Sequence, residues 1–170
     1  MFARPIPRIR GVAAPMPISV ASRDSAFRVT VALRAALAGV VREALAVEGR
    51  RAGEISIVLT RDAELRELNK RWRKINRATD VLSFPYADEA GRVDGDLIIS
   101  LDRLVAQAKR YRVSVGNELT RLVVHGALHL CGLDHLTLAE RRVMRRAEST
   151  ARKACEGKVA ALERGMKGLN

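Results

Sequence analysis

Residues 125–135 read HGALHLCGLDH, and they contain all three histidines of a 170-residue chain. Random placement would bring three histidines this close only roughly once in a hundred such chains. Their spacing says more than their clustering. From Val115 to Cys131, the residues Leu119, Leu122, Val123, Gly126, Ala127 and Leu130 recur at the spacing of a buried helix face. On that helix His125 and His129, four residues apart, stand one turn apart on the same side, close enough to share one small ion. Gly132 allows the left-handed turn that ends the helix, so the chain folds back and His135 offers a third nitrogen from a loop. Three imidazoles leave a fourth tetrahedral position for water, as in a catalytic zinc site and unlike a structural one. One zinc ion per chain, on His125, His129 and His135, is the expectation.

Three neighbours refine this reading. Cys131 falls six residues after His125, on the other side of the helix, and reads as a small core residue. Asp134 has two readings: an acceptor for the free N–H of a ligand imidazole, or a turn residue that caps a backbone N–H. Zinc proteases with an HExxH helix place their general base, a glutamate, directly after the first histidine. Here that residue is Gly126, which weighs against peptide hydrolysis.

The rest of the chain mixes strands and helices. Ile18–Ala21 reads as a short strand, and Val29–Val47 as an amphipathic helix with Leu33, Leu37, Val40 and Ala44 inward. Glu54–Leu59 alternates as a strand, and Asp62–Trp72 forms a helix that buries Leu65, Leu68 and Trp72. Val81–Phe84 and Asp96–Ile99 are short apolar strands around a polar loop, Tyr86–Gly95. Ser100 caps a third helix, and Thr137 with Glu140 forms a capping box for a fifth. Without strict alternation of the two element types, the class is α+β.

Composition bounds the partners. The chain is 48% hydrophobic and 29% charged, which is ordinary for one globular domain. Its formal net charge of +12 attracts polyanions, namely RNA, DNA or anionic membrane surfaces. A GC-rich genome accounts for arginine in place of lysine, but not for the excess of positive charge. Cys131 and Cys155 give no disulfide framework, which fits a reducing compartment. No apolar stretch reaches membrane-spanning length, and Pro5, Pro7, Pro15 and Pro17 interrupt any signal-peptide core. The reading is a cytoplasmic protein with no membrane contact.

The histidine segment is similar to the HGxLHLxGxDH signature of the YbeY family, bacterial endoribonucleases that mature ribosomal RNA. LNKRWRKINRATDVLSFPY (68–86) resembles that family's LNxxyR…TdVLSFPf segment, and GDLIIS (95–100) its GDIxIs element. Glu118, Leu119, Met144 and Glu148 also stand at family positions. Ala78 replaces a usual proline and Leu133 a usual tyrosine, and neither change removes a ligand. The resemblance covers roughly residues 18–150. It implies a zincin-like α+β single domain, a small mixed β-sheet flanked by about five helices, with zinc on the three signature histidines. It also implies a role in activity for Arg73. The implied substrate is single-stranded RNA, notably the 3′ end of the small-subunit rRNA, with the ribosome or ribosomal proteins as partners. The expected organisation is an irregular tail over 1–16, a metal-dependent ribonuclease domain over 17–155, and a basic extension over 156–170. The tail has no apolar period and is expected to be dispensable, with Met16 as an alternative start. Its counter-reading is an RNA-binding arm carrying Arg4, Arg8 and Arg10.

Lys70, Arg71, Arg73, Lys74 and Arg77 crowd around Trp72. Cations follow phosphates and a ring can stack on a base, but Trp72 sits at core spacing. Arg71, Lys74 and Arg77 are thus candidate RNA contacts. Arg73 is the candidate catalytic residue, because a guanidinium can hold two phosphate oxygens at once. The chemistry expected is metal-assisted phosphodiester cleavage, with water or the RNA's own 2′-hydroxyl as nucleophile. A zinc peptidase explains neither Gly126 nor the basic field. A non-catalytic ribosome-assembly factor with structural zinc leaves the fourth coordination position without a purpose.

Overall fold

Alternation of Ile55, Ile57 and Leu59 places β2 (Arg51–Thr60) inside a sheet whose other strands are β1 (Ile18–Ser22), β3 (Val81–Pro85) and β4 (Arg92–Ser100). This computed structural model describes residues 18–86 and 91–169; the proposed tail over 1–16 lies outside them. The strand order is β1-β2-β4-β3. β1 and β4 run parallel to β2, while β3 pairs antiparallel at the edge of the sheet, with Val81 opposite Ile99. The sheet is therefore small and mixed, as the family resemblance implies.

Both central strands exceed their apolar runs. Arg51 pairs with Arg92 and Ala52 with Val93, ahead of an irregularity before Ile55. Hydrophobic alternation detects only the half of a strand that is buried, so these polar starts carry no period-2 signal. The loop expected over Tyr86–Gly95 is accordingly shorter, with Arg92–Gly95 inside β4.

The helices are α1 (Val31–Val47), α2 (Asp62–Arg73), α3 (Leu101–Tyr111), α4 (Val115–Leu130), α5 (Leu138–Ala154) and α6 (Glu156–Gly165). Their starts follow local chemistry. Thr30, Ser100 and Ser114 accept backbone N–H bonds at the first turns of α1, α3 and α4. The Thr137–Glu140 capping box opens α5 with bonds of 3.2 and 2.8 Å. One sheet face joins Ile57, Leu59, Leu97 and Ile99 to the buried sides of α1, α4 and α6 in the main core. The other face packs Val58, Leu82, Phe84 and Ile98 on Leu65 of α2, with Leu68 and Trp72 half-buried beside them. Trp72 is thus a packing residue.

α6 is a sixth helix, where the sequence reading has about five and treats residues 156–170 as a basic extension. Leu162, Met166 and Leu169 are buried in the main core. A Cβ at Gly116 of α4 would lie 2.8 Å from the Val159 carbonyl oxygen of α6, so the two helices meet almost backbone to backbone. Loss of a fully buried leucine from such a contact leaves a cavity that rigid neighbours cannot fill. Leu162→Ala is expected to lower unfolding free energy by about 2–5 kcal/mol in urea titrations. A loss below about 0.5 kcal/mol, the scale of surface substitutions, would mean that α6 is not part of the cooperative domain.

Candidate metal centre

α4 delivers two imidazoles and the turn after it delivers the third. The helix ends as Leu133 N–H bonds to the Leu128 carbonyl at 3.2 Å and Gly132 N–H to that of His129 at 3.0 Å, with Gly132 at φ 91°. This is the left-handed termination that glycine permits. It brings His135 back over the helix, so that one nitrogen from each of His125, His129 and His135 lies within 4.8 Å of the other two. The His125 and His129 Nε2 atoms are 3.1 Å apart. Two nitrogens bound tetrahedrally to one zinc ion would sit about 3.3 Å apart, so the pair is spaced for a shared ion.

The donor chemistry fits as well. A metal ligand must be an unprotonated nitrogen. Burial pushes the His129 pKa down to about 4, helped by His125 and His135 and opposed by a hydrogen bond to the Leu133 backbone. His129 is therefore neutral at neutral pH. His125 Nδ1 lies 2.6 Å from Glu148 Oε1. A carboxylate there fixes the proton on Nδ1 and leaves the Nε2 lone pair facing the cluster. Hydrogen bonding to His125 lowers the Glu148 pKa against the opposing effect of burial, so this acceptor is ionised. His135, with its side chain 51% exposed, stands at the solvent side of the cluster.

Of the two readings of Asp134, the turn residue holds. Its Oδ1 accepts the His135 backbone N–H at 2.8 Å, and lies 3.9 Å from His135 Nδ1, beyond hydrogen-bonding distance. Gly126 faces the sheet: a Cβ there would lie 2.9 Å from Leu97 Cδ2 and 3.2 Å from Ser83 Oγ. Cys131 is half-buried against the main core and stands outside the histidine group.

The basic residues divide. Arg73 ends α2, and although exposed overall its guanidinium is enclosed enough for burial to lower its pKa, with the Asp134 carboxylate acting in the opposite direction. That places Arg73 within electrostatic reach of the turn bearing His135. Arg71 lies over the Trp72 ring, 5.2 Å from its centroid. Lys74 is the left-handed cap of α2, and its Nζ donates to the Arg71 carbonyl at 3.3 Å. Arg77 is exposed, and its carbonyl accepts from Asn69 at 2.7 Å. These contacts keep Arg71, Lys74 and Arg77 around α2, with none to the histidines among the described residues. Sequence reasoning gave Glu148 a family position but not its partnership with His125. The signal available was an acid, Glu148, set among the arginines of α5 beyond its capping turn.

Residues 19–156 match the family model described as Endoribonuclease YbeY. A curated relative of that name from an Anaeromyxobacter species is 47% identical over 124 residues, covering 71% of this chain and 64% of its own. Another, from Phocaeicola vulgatus, is 36% identical over 113 residues, covering 66% and 81%. The fold is similar to the solution structure of TM1509 from Thermotoga maritima, with a TM-score of 0.59 and 23% identity over 82% of this chain and 89% of that one. The chain belongs to the YbeY family. It spans 64% of the length of the two Anaeromyxobacter relatives it matches.

If Glu148 orients His125, then Glu148→Gln should weaken metal affinity by about 10–100-fold, measured by chelator competition, with the melting temperature of the metal-free protein little changed. Unchanged affinity would reduce Glu148 to a surface ion pair.

Proposed function

We propose that the protein is a zinc-dependent, single-strand-specific endoribonuclease of the cytoplasm, acting in rRNA maturation at the 3′ end of the small-subunit rRNA and in ribosome quality control. The observation that carries this reading is the three-imidazole cluster, with donor atoms within 4.8 Å of one another, in a chain of net charge +12. The printed name of the curated relatives, endoribonuclease, supports the reaction class. An all-imidazole donor set suits zinc among common divalent ions. No helix among the described residues is long and apolar enough to cross a membrane, in keeping with an aqueous site of action.

When bound, zinc supplies a Lewis acid that stabilises charge on phosphoryl oxygens and acidifies water. The chain's own residues do the rest. Arg73 receives the scissile phosphate and opposes the negative charge that develops on it. Asp134 holds the turn that presents His135, and Glu148 keeps the His125 proton on Nδ1. Gly126 offers no general base, so the attacking oxygen loses its proton without a glutamate at that position, which also disfavours a peptidase. A structural-zinc assembly factor is disfavoured by the exposure of His135. The ribosome is the expected partner.

The test uses purified protein with its metal quantified, incubated with unstructured RNA, structured RNA and a peptide library. Cleavage of unstructured RNA alone is the expected result, and peptide cleavage would reject the reading. His129→Ala should lose zinc and RNA cleavage together while keeping its fold; full cleavage after stringent metal removal would show that the histidines are not the site. Arg73→Ala should retain zinc and lose turnover by about 10²–10³-fold. Arg73→Lys should recover little of it, since an ammonium lacks the planar fork. Wild-type cleavage by the lysine variant would remove the bidentate role.

A further inference from the structure

Helix α5 carries Arg141, Arg145, Glu148 and Arg152 at i, i+4, i+7 and i+11, one continuous stripe, while Met144, Ala147 and Ala151 bury the neighbouring side of the helix in the core. The stripe starts at the candidate metal centre, where Arg141 Nε donates to the His135 carbonyl at 2.8 Å. Its one acid, Glu148, is engaged by His125 at 2.6 Å. From Arg145 onward the stripe forms one wall of a groove of about 440 Å³ lined by α4, α5 and the start of α6. Asn117 and Thr120 of α4 line it, with Arg145, Ser149, Arg152 and Lys153 of α5, and Glu148 and Glu156 complete the acidic side of its lining. Arg145, Arg152 and Lys153 are exposed and form no ion pair among the described residues.

We infer that this groove is a second RNA-binding site, which holds phosphates of the strand beyond the bond that is cut. The inference rests on the ribonuclease reading and extends it from the cleavage point to the path of the substrate. Two features favour RNA over an acidic protein. Beside the carboxylates of Glu148 and Glu156, the lining consists of guanidinium, ammonium, hydroxyl and amide groups, the set that contacts phosphate and sugar, and Val159 is its one aliphatic member. Protein interfaces instead centre on an apolar patch that excludes water. The groove also adjoins the histidines through a shared side chain, Glu148, so a strand leaving the cluster meets Arg145 within one helical turn. From Arg141 to Arg152 the stripe covers about 16 Å of helix axis, which suits several consecutive nucleotides and not a single ion.

The test compares the zinc-loaded full chain with the triple variant Arg145→Gln, Arg152→Gln, Lys153→Gln. Two unstructured RNAs, of about 5 and about 20 nucleotides, are titrated over a range of salt concentrations. The variant should cut the short RNA at the wild-type rate and keep its zinc. It should bind the long RNA roughly 10–100-fold more weakly at about 0.1 M salt, with a log–log salt slope shallower by about 2, since each single-strand contact contributes about 0.7. Unchanged affinity and slope for the long RNA would overturn the inference and leave an acidic protein as the groove's occupant. Equal loss of short-RNA cleavage would also overturn it, by showing that the three cations serve the metal centre itself. Failure of the wild-type protein to cut either RNA would sink the ribonuclease reading separately, and the groove would then stand or fall on the binding slopes from the same titration.

Discussion

The position of α4 on the sheet is the constraint from which the candidate site follows. Gly126 has no side chain, and its Cα already lies where a Cβ would press on Leu97, Ser83 and Val81. This close approach lets Leu122, Val123, Ala127 and Leu128 reach full burial around the helix. His125 and His129 are left on the side that faces α5 and the following turn. Had residue 126 carried a side chain, α4 would stand further from β3 and β4, and both imidazoles would move with it. Metal sites tolerate misplacement of only about 0.5 Å. The absence of a glutamate at this position is therefore a packing requirement here as well as a chemical difference from HExxH helices.

Behind the histidines, charge alternates through a partly buried network. Arg121 reaches both oxygens of Glu118, at 3.0 and 3.1 Å from Nε and 2.6 Å from Nη2, and also Asp80 at 3.4 Å. Glu118 is only 2% exposed, and an unpaired carboxylate there would be costly. Burial on its own would lower the Arg121 pKa, but Glu118 and Asp80 outweigh it and the guanidinium is held firmly charged. The same guanidinium acts on Glu148, adding to the effect of His125 in keeping that carboxylate ionised. Asp80 in turn accepts from Val81 N–H at 2.9 Å and from Gln107 at 3.1 Å, which ties β3 and α3 to α4. Glu118 and the aspartate of the TDVLSFP segment thus have a physical reason to sit where they do: they hold Arg121, whose charge acts on Glu148, the residue that orients a candidate ligand.

Much of this was legible in the sequence, and the parts that were not share a cause. Helices with a wide apolar stripe and a capping residue, such as α1, α3 and α5, read correctly because both signals are local. The i, i+4 histidine pair and the Gly132 turn are local too, so the gathering of three imidazoles followed from spacing alone. α6 escaped because its evidence is tertiary. Its ten residues include Gly157 and Gly165, only Leu162 of them is buried, and its close contact depends on Gly116 some forty residues earlier. The role of Glu148 is hidden for the same reason, since 23 residues separate it from His125. Asp134 shows the limit from the other side: both of its readings were local and chemically sound, and only the 3.9 Å distance to the His135 ring separates them.

The net charge of +12 acquires meaning from where the cations remain unpaired. Around the starts of α2 and α3, bases meet acids: Arg61 bonds to Asp24 and Asp102, and Arg103 to Asp62. Such exposed pairs add little stability, but they cancel field locally. At the end of α2, Lys70, Arg71 and Arg73 have no ion-pair partner among the described residues, and neither have Arg142, Arg145, Arg146, Arg152 and Lys153 on α5. Arg73 stands within electrostatic reach of Asp134, beside the cluster, and α5 reaches the cluster through Glu148. The two acids nearest the histidines are thus already engaged, one with a backbone N–H and one with a ring N–H. They hold the imidazoles in place while the cations on either side set the sign of the potential. A positive field concentrated in a cleft raises the local concentration of an anionic polymer far more than the same charge spread over a convex surface. The distribution of these side chains, more than their number, is what supports the phosphodiester substrate proposed for the histidine cluster.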